Sequence, residues 1–157
     1  MRVLGIDPGS RRIGYGIIES GANPILVDAG LVPIVSSEDA PALAELRRNL
    51  NALIALHQPG LIGIERLFFT KNRTTGIAVG QARGVIMECA YASGVRILEL
   101  TPNEVKQGVT GSGNADKRAV AKMVRLLLRM PDLKLVDDAT DAIAIALVTA
   151  QRARASD

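Results

Sequence analysis

The stretch RVLGIDPGSRRIGYGIIES, residues 2–20, decides the fold. RVLGID reads as a short buried strand that ends in an acid, Asp7. Asp-Pro-Gly-Ser, residues 7–10, reads as a turn with proline at its favoured second position. RIGYGIIES reads as the returning strand. A turn alone does not call for a carboxylate at the tip of a buried strand. Burying a charge is costly unless it is paired, hydrogen-bonded or bound to a metal. Asp7 is therefore read as holding something.

Outward from this hairpin, NPILVDAGLVPIV adds a third strand rich in Ile and Val, which makes an antiparallel meander. SSEDAPALAELRRNLNALIALH follows as a helix, with Leu43, Leu46, Leu50, Leu53 and Leu56 on its expected buried face. Asp39 is its expected N-cap, with Pro41 just inside the start. HQPG ends it, and the single histidine, His57, reads as a helix-end residue. LIGIE is a strand that again ends in an acid, Glu65. A helical pattern covers about residues 74–92, VRILEL is a strand, and TPNEVKQGV opens with a Thr-Pro helix start. GSGNADKRAVAKMVRLLLRM is a glycine-rich loop running into a helix, and DDATDAIAIALVTAQRARA is a helix with acids at its start. Three strands followed by alternating helices and strands predict one α/β domain over residues 1–157, a mixed five-stranded sheet flanked by helices. The extreme C-terminus, about residues 152–157, is expected to be disordered.

The chain has 157 residues, 48% of them hydrophobic and 22% charged, which is a globular composition with enough material for one core. One cysteine, Cys89, excludes an internal disulfide. Neither a signal peptide nor an apolar run of about 18 residues is visible, so a cytoplasmic protein with no membrane partner is expected. The net charge of +3 is unevenly spread. Residues 1–65 and 130–157 each sum to −2, whereas residues 66–129 sum to +7. A basic block of this kind points to a polyanion.

Three acidic positions stand out. Asp7 and Glu65 end two separate apolar strands, and Asp138 and Asp141 lie three apart at a helix start. Residues i and i+3 are neighbours on a helix face, with Cβ atoms roughly 5–6 Å apart. Ligands of open α/β sheets gather at strand ends. Four carboxylates meeting there would repel one another. A hard divalent cation relieves the repulsion, since Mg²⁺ favours oxygen ligands, and two ions about 3.5–4 Å apart support phosphoryl transfer. The blander reading of Asp138 and Asp141 is favourable interaction with the helix dipole.

ERLFFTKNR follows Glu65 and holds both phenylalanines, Phe68 and Phe69, beside Arg66, Lys71, Asn72 and Arg73. Aromatic rings in a basic loop suit stacking on, or wedging between, bases. The helix after GSGNAD bears a second basic stripe, Arg118, Lys122, Arg125 and Arg129, and at its start Lys117 is read as carried by a flexible loop that can swing it toward a phosphate.

GIDPGS at the N-terminus, IERLFFTKN after a strand, GQARGV, VKQ with GSGNADK, and DDATDAIAIA together resemble the RuvC family of bacterial crossover junction endodeoxyribonucleases. These are Holliday junction resolvases of ribonuclease-H-like fold. The resemblance runs over roughly residues 1–150. It implies that Asp7, Glu65, Asp138 and Asp141 are catalytic carboxylates that bind Mg²⁺, with Mn²⁺ substituting and two ions per site. It implies that Lys106, in VKQ, and Lys117, in ADK, contact phosphate and stabilise charge. Phe68 matches the junction-probing aromatic, and its extra neighbour Phe69 offers a second ring for the same role. The DNA-contacting set is then Arg66, Phe68, Phe69, Lys71, Asn72, Arg73, Lys106, Lys117 and Arg118. The family acts as a homodimer on four-way junction DNA, nicks two strands of like polarity to leave 5′-phosphate and 3′-hydroxyl ends, and works with a branch-migration helicase. Gly76, Gly80 and Gly84, recurring every four residues, accord with self-association through that helix.

Two other readings stand beside this one. An actin-like ATPase could use DPGS as a phosphate loop, although no second phosphate loop is present. A non-catalytic junction-binding module would show steep salt dependence without cleavage.

Overall fold

The computed structural model describes residues 1–66 and 73–155, with only the backbone of Arg73. Five strands form one sheet: β1 (Arg2–Asp7), β2 (Gly14–Glu19), β3 (Ile25–Leu31), β4 (Leu61–Glu65) and β5 (Arg96–Leu100). Their order is β3-β2-β1-β4-β5. β3, β2 and β1 run antiparallel, as the meander predicts, while β1, β4 and β5 are parallel. The helices are α1 (Asp39–His57), α2 (Arg73–Ala92), α3 (Pro102–Thr110), α4 (Lys117–Leu127) and α5 (Asp137–Ala155).

Successive strand residues point to opposite faces, and this sorts the core into two layers. Leu4, Ile6, Ile17, Ile62 and Ile64 pack with Leu46, Leu50 and Ile54 of α1 and with Ala82, Ile86 and Ala90 of α2. Val3, Ile18 and Leu61 turn to the other face, toward Val105 and Val109 of α3, Val120 and Val124 of α4, and a long buried run of α5.

Several expectations need correction. The buried residues of α1 are Ala42, Leu46, Leu50 and Ile54, at spacing four. Leu43 and Leu53 are only partly buried against that core, and Leu56 lies on the solvent side at 74% exposure. Asp39 is not the N-cap. Glu38 takes that position without a side-chain cap, and Asp39 sits in the first turn, paired with Arg11 at 2.6 Å. The disorder expected at about 152–157 does not hold for residues 152–155, which continue α5. Arg152 ties that end to Glu104 of α3 at 3.0 Å, and Ala153 packs on the core. Residues 156 and 157 lie outside the described residues.

The approach of α5 to the sheet positions the site. Gly5, Gly14, Gly16 and Gly63 line the face that α5 covers. A Cβ on Gly5 would lie 2.0 Å from the Ala142 carbonyl oxygen, and one on Gly14 would lie 1.9 Å from that of Asp138. On Gly16 it would meet Ile143 at 2.6 Å, and on Gly63 it would meet the Thr149 hydroxyl at 1.9 Å. Any side chain there would lift the helix away. With alanines opposite, at 139, 142 and 146 and all fully buried, α5 lies directly on the central strands.

Candidate active site

The two strand-end acids reach one face by simple counting. In the parallel pair, Val3 aligns with Leu61, Gly5 with Gly63 and Ile6 with Ile64. One step further, Asp7 and Glu65 end neighbouring strands. Both share the face of Val3, Gly5, Leu61 and Gly63, which is the α5 face. The N-terminal end of α5 brings Asp138 and Asp141 to the same place.

The ionisation of Asp7 reports the convergence. Burial, followed by the charges of Glu65, Asp141 and Asp138, pushes its carboxyl up to about 8, against a lowering influence from Lys117. Glu65 is raised by burial and Asp141, and lowered by Lys106 and Lys117. Burial raises Asp141 most, Lys117 lowers it, and Asp137 and Asp138 raise it further. All four expected carboxylates and both expected lysines therefore belong to one electrostatic group.

Local structure places the lysines. Thr101 and Glu104 form a reciprocal capping box at the start of α3, with N–H donors to side-chain oxygens at 3.2 and 2.7 Å. Lys106 follows on that helix, half-buried. The Asp116 carboxylate accepts from the Ala119 N–H at 2.8 Å and caps α4. Lys117 is thereby the first residue of α4, its Nζ 3.7 Å from Asp141. A cap, rather than a free loop, brings it there.

The carboxylates are coupled but not yet gathered as a coordination shell. Among the described residues, no three His, Cys, Asp or Glu side chains stand as a ready cation-holding group. Two bases hold the outer acids instead: Lys117 on Asp141, and Arg12 on Asp138 at 2.9 Å. The donor set suits a hard divalent cation. It is all oxygen, it is partly desolvated, and its mutual repulsion, visible in the Asp7 carboxyl, is what such a cation would relieve.

The remaining expected DNA contacts are less complete. Arg66 is exposed at the end of β4, its Nε 3.9 Å from Glu99, which also pairs with Arg83 of α2. Arg118 is exposed on α4. Phe68, Phe69, Lys71 and Asn72 lie outside the described residues, as does the Arg73 side chain. Two features went unread in the sequence. One is Arg12, whose only signal is its place in the turn beside Asp7. The other is the glycine row, signalled by glycines on one face of three strands opposite an alanine-rich helix.

A mixed five-stranded sheet of this order, with acids at the ends of its two central strands and at the helix crossing them, is the ribonuclease-H-like architecture of junction resolvases. The yeast mitochondrial Holliday junction resolvase Ydc2 shares the fold at 16% identity, with a TM-score of 0.70 over 95% of this chain and 78% of that one. The family model for crossover junction endodeoxyribonuclease RuvC matches residues 3–149. RuvC of Caldicellulosiruptor saccharolyticus is 45% identical over 150 residues, 94% of this chain and 90% of that protein. RuvC of Thermomicrobium roseum is 42% identical over 157 residues, covering 99% and 96%. Thermus thermophilus RuvC in complex with a Holliday junction substrate superposes with a TM-score of 0.92 at 30% identity, covering 99% and 96% of the two chains. The chain belongs to the RuvC family of crossover junction endodeoxyribonucleases, metal-dependent nucleases, and the ATPase reading falls away. Among the described residues, no helix is long and apolar enough to cross a membrane.

Proposed function

We propose that this chain resolves four-way DNA junctions by hydrolysing phosphodiesters at the site of Asp7, Glu65, Asp138 and Asp141, with Mg²⁺ as cofactor, Mn²⁺ as substitute and two ions per site. The observation that carries this reading is the coupling of these four acids at Asp7, whose carboxyl is pushed up to about 8. When bound, the cations would supply activation of a water and neutralisation of charge at the leaving oxygen, chemistry that leaves 5′-phosphate and 3′-hydroxyl ends. Asp7, central to the group, would hold the cations together with Glu65, Asp138 and Asp141 through their carboxylate oxygens.

Lys106 and Lys117 face the same carboxylates and bind the non-bridging phosphate oxygens, where they stabilise the charge that builds up. Arg66, Phe68, Phe69, Lys71, Asn72, Arg73 and Arg118 engage the open junction centre.

A homodimer presents two sites and nicks two strands of like polarity. Its interface is α2, where Ile77 and Tyr91 are 65% and 83% exposed and Gly80 and Gly84 have open space at their Cβ positions. These four residues share one helix face, and a second copy of α2 can approach closely there. A branch-migration helicase acts with the dimer.

The test is cleavage of a synthetic four-way junction in Mg²⁺ by the wild type beside Asp7→Asn. Paired nicks by the wild type alone support the reading. No nicking by the wild type, or equal nicking by both, refutes it.

A further inference from the structure

The paired arginines of the β1–β2 loop have separate tasks. Arg11 turns toward α1, bonding the Asp39 carboxylate at 2.6 Å and the Ser37 carbonyl at 3.1 Å. Arg12 turns into the site, where its Nε and one terminal nitrogen each lie 2.9 Å from the same oxygen, Oδ2 of Asp138. The loop that delivers it is tightly built. Its feet, Asp7 and Gly14, pair across the sheet, and a Cβ on Gly9 would lie 2.2 Å from the Arg12 carbonyl oxygen. The Pro-Gly turn after Asp7 thus packs against the backbone of Arg12.

The Arg12 side chain is 62% exposed and that of Asp138 is 28% exposed. The Arg12 side chain is thus largely open to solvent and within reach of an incoming anion. A guanidinium on Oδ2 and a divalent cation on the same carboxylate repel each other, so Asp138 serves one or the other. A phosphate offers the planar fork the same paired acceptor oxygens that a carboxylate offers.

We infer that Arg12 is a positioning residue that couples DNA binding to cation binding: it holds Asp138 in the DNA-free protein, and yields it to a divalent cation when its guanidinium transfers to a phosphate of the junction strand. This inference rests on the nuclease reading above. The exchange makes and breaks no covalent bond. Because binding linkage is reciprocal, DNA raises cation affinity by the same factor as the cation raises DNA affinity. For a solvent-exposed ion pair that factor is about two- to fivefold.

The test measures Mn²⁺ binding by the free-ion electron paramagnetic resonance signal, in wild type, Arg12→Ala, Arg12→Lys and Asp7→Asn without DNA. Arg12→Ala is expected to bind Mn²⁺ about two- to fivefold more tightly than wild type, with Arg12→Lys between them. Junction affinity is then read by fluorescence anisotropy with and without Ca²⁺, a hard cation that takes the same oxygen ligands. The gain from Ca²⁺ is expected to be smaller for Arg12→Ala by the same factor, which a purely structural role for Arg12 would not produce. Equal Mn²⁺ affinity in wild type and Arg12→Ala, weaker affinity in the variant, or an unchanged Ca²⁺ gain each overturns the inference while leaving the nuclease reading in place. Mn²⁺ uptake by Asp7→Asn equal to wild type overturns both.

Discussion

Replacing Asp7 with asparagine should stabilise the cation-free protein while abolishing cleavage. In the folded chain the Asp7 carboxyl keeps its proton up to about pH 8, against an ordinary value of 3.8. The folded state therefore binds more protons than the unfolded state between these values. Stability falls as pH rises through that window. Each unit of difference corresponds to about 1.4 kcal/mol, so roughly four units set a ceiling near 5–6 kcal/mol. Asp7 keeps some contact with solvent and its neighbours can turn away, which reduces the effect to about 2–4 kcal/mol. Asparagine carries no charge at any of these pH values. At pH 8 the variant should unfold about 4–16 °C above wild type, at about 2–4 °C per kcal/mol for a domain of this size, and at pH 4 the two should nearly coincide. The assay is calorimetric melting in EDTA from pH 4 to 8.5. Mg²⁺ should then raise the melting temperature of wild type and leave that of Asp7→Asn in place. A wild-type melting temperature that climbs from pH 5 to 8, or a variant that melts no higher than wild type at pH 8, refutes the reasoning.

Gly5→Ala should cost about 2–4 kcal/mol in urea unfolding, because its Cβ would meet backbone atoms of α5 at 2.0 and 2.5 Å that cannot swing aside; stability within about 0.5 kcal/mol of wild type would mean that α5 does not rest on this row. Asp116→Ala removes the α4 cap and should cost about 1 kcal/mol, together with a fall in the single-turnover cleavage rate at saturating junction, because Lys117 then loses its anchored position; an unchanged rate refutes that link. Thr149 is fully buried and its hydroxyl has no hydrogen-bond partner among the described residues, so Thr149→Val should be neutral or stabilising by up to about 1 kcal/mol, and a loss of more than that in the same urea experiment would count against it.

The sequence by itself determined the elements and the identity of the acids. Alternating Val, Ile and Gly in residues 2–20 and the Pro-Gly turn determine the hairpin. Apolar strands ending in Asp7 and Glu65 mark two members of the acidic cluster, because a charge at the end of a buried run needs a partner. Asp138 and Asp141 are legible through their spacing, and the order of motifs is specific enough to place the chain in its family. Local signals failed where a residue's partner is remote in sequence. The N-cap of α1 and the exposure of Leu56 depend on how α1 sits against the sheet, and the order of the C-terminus depends on Arg152 reaching Glu104.

Only the tertiary structure decided why the four acids meet. Strand parity and parallel register put Asp7 and Glu65 on one face, and a row of side-chain-free positions lets α5 descend until its first turn reaches them. Glycine in a strand reads as weakness when the sequence is taken alone. Here its meaning comes from the helix about 2 Å beyond the missing Cβ, and that neighbour lies 86 to 137 residues away along the chain. The same holds for Arg12. Nothing in a turn of two arginines distinguishes the one that anchors to α1 from the one that holds Asp138, because the distinction is made by what each reaches in space.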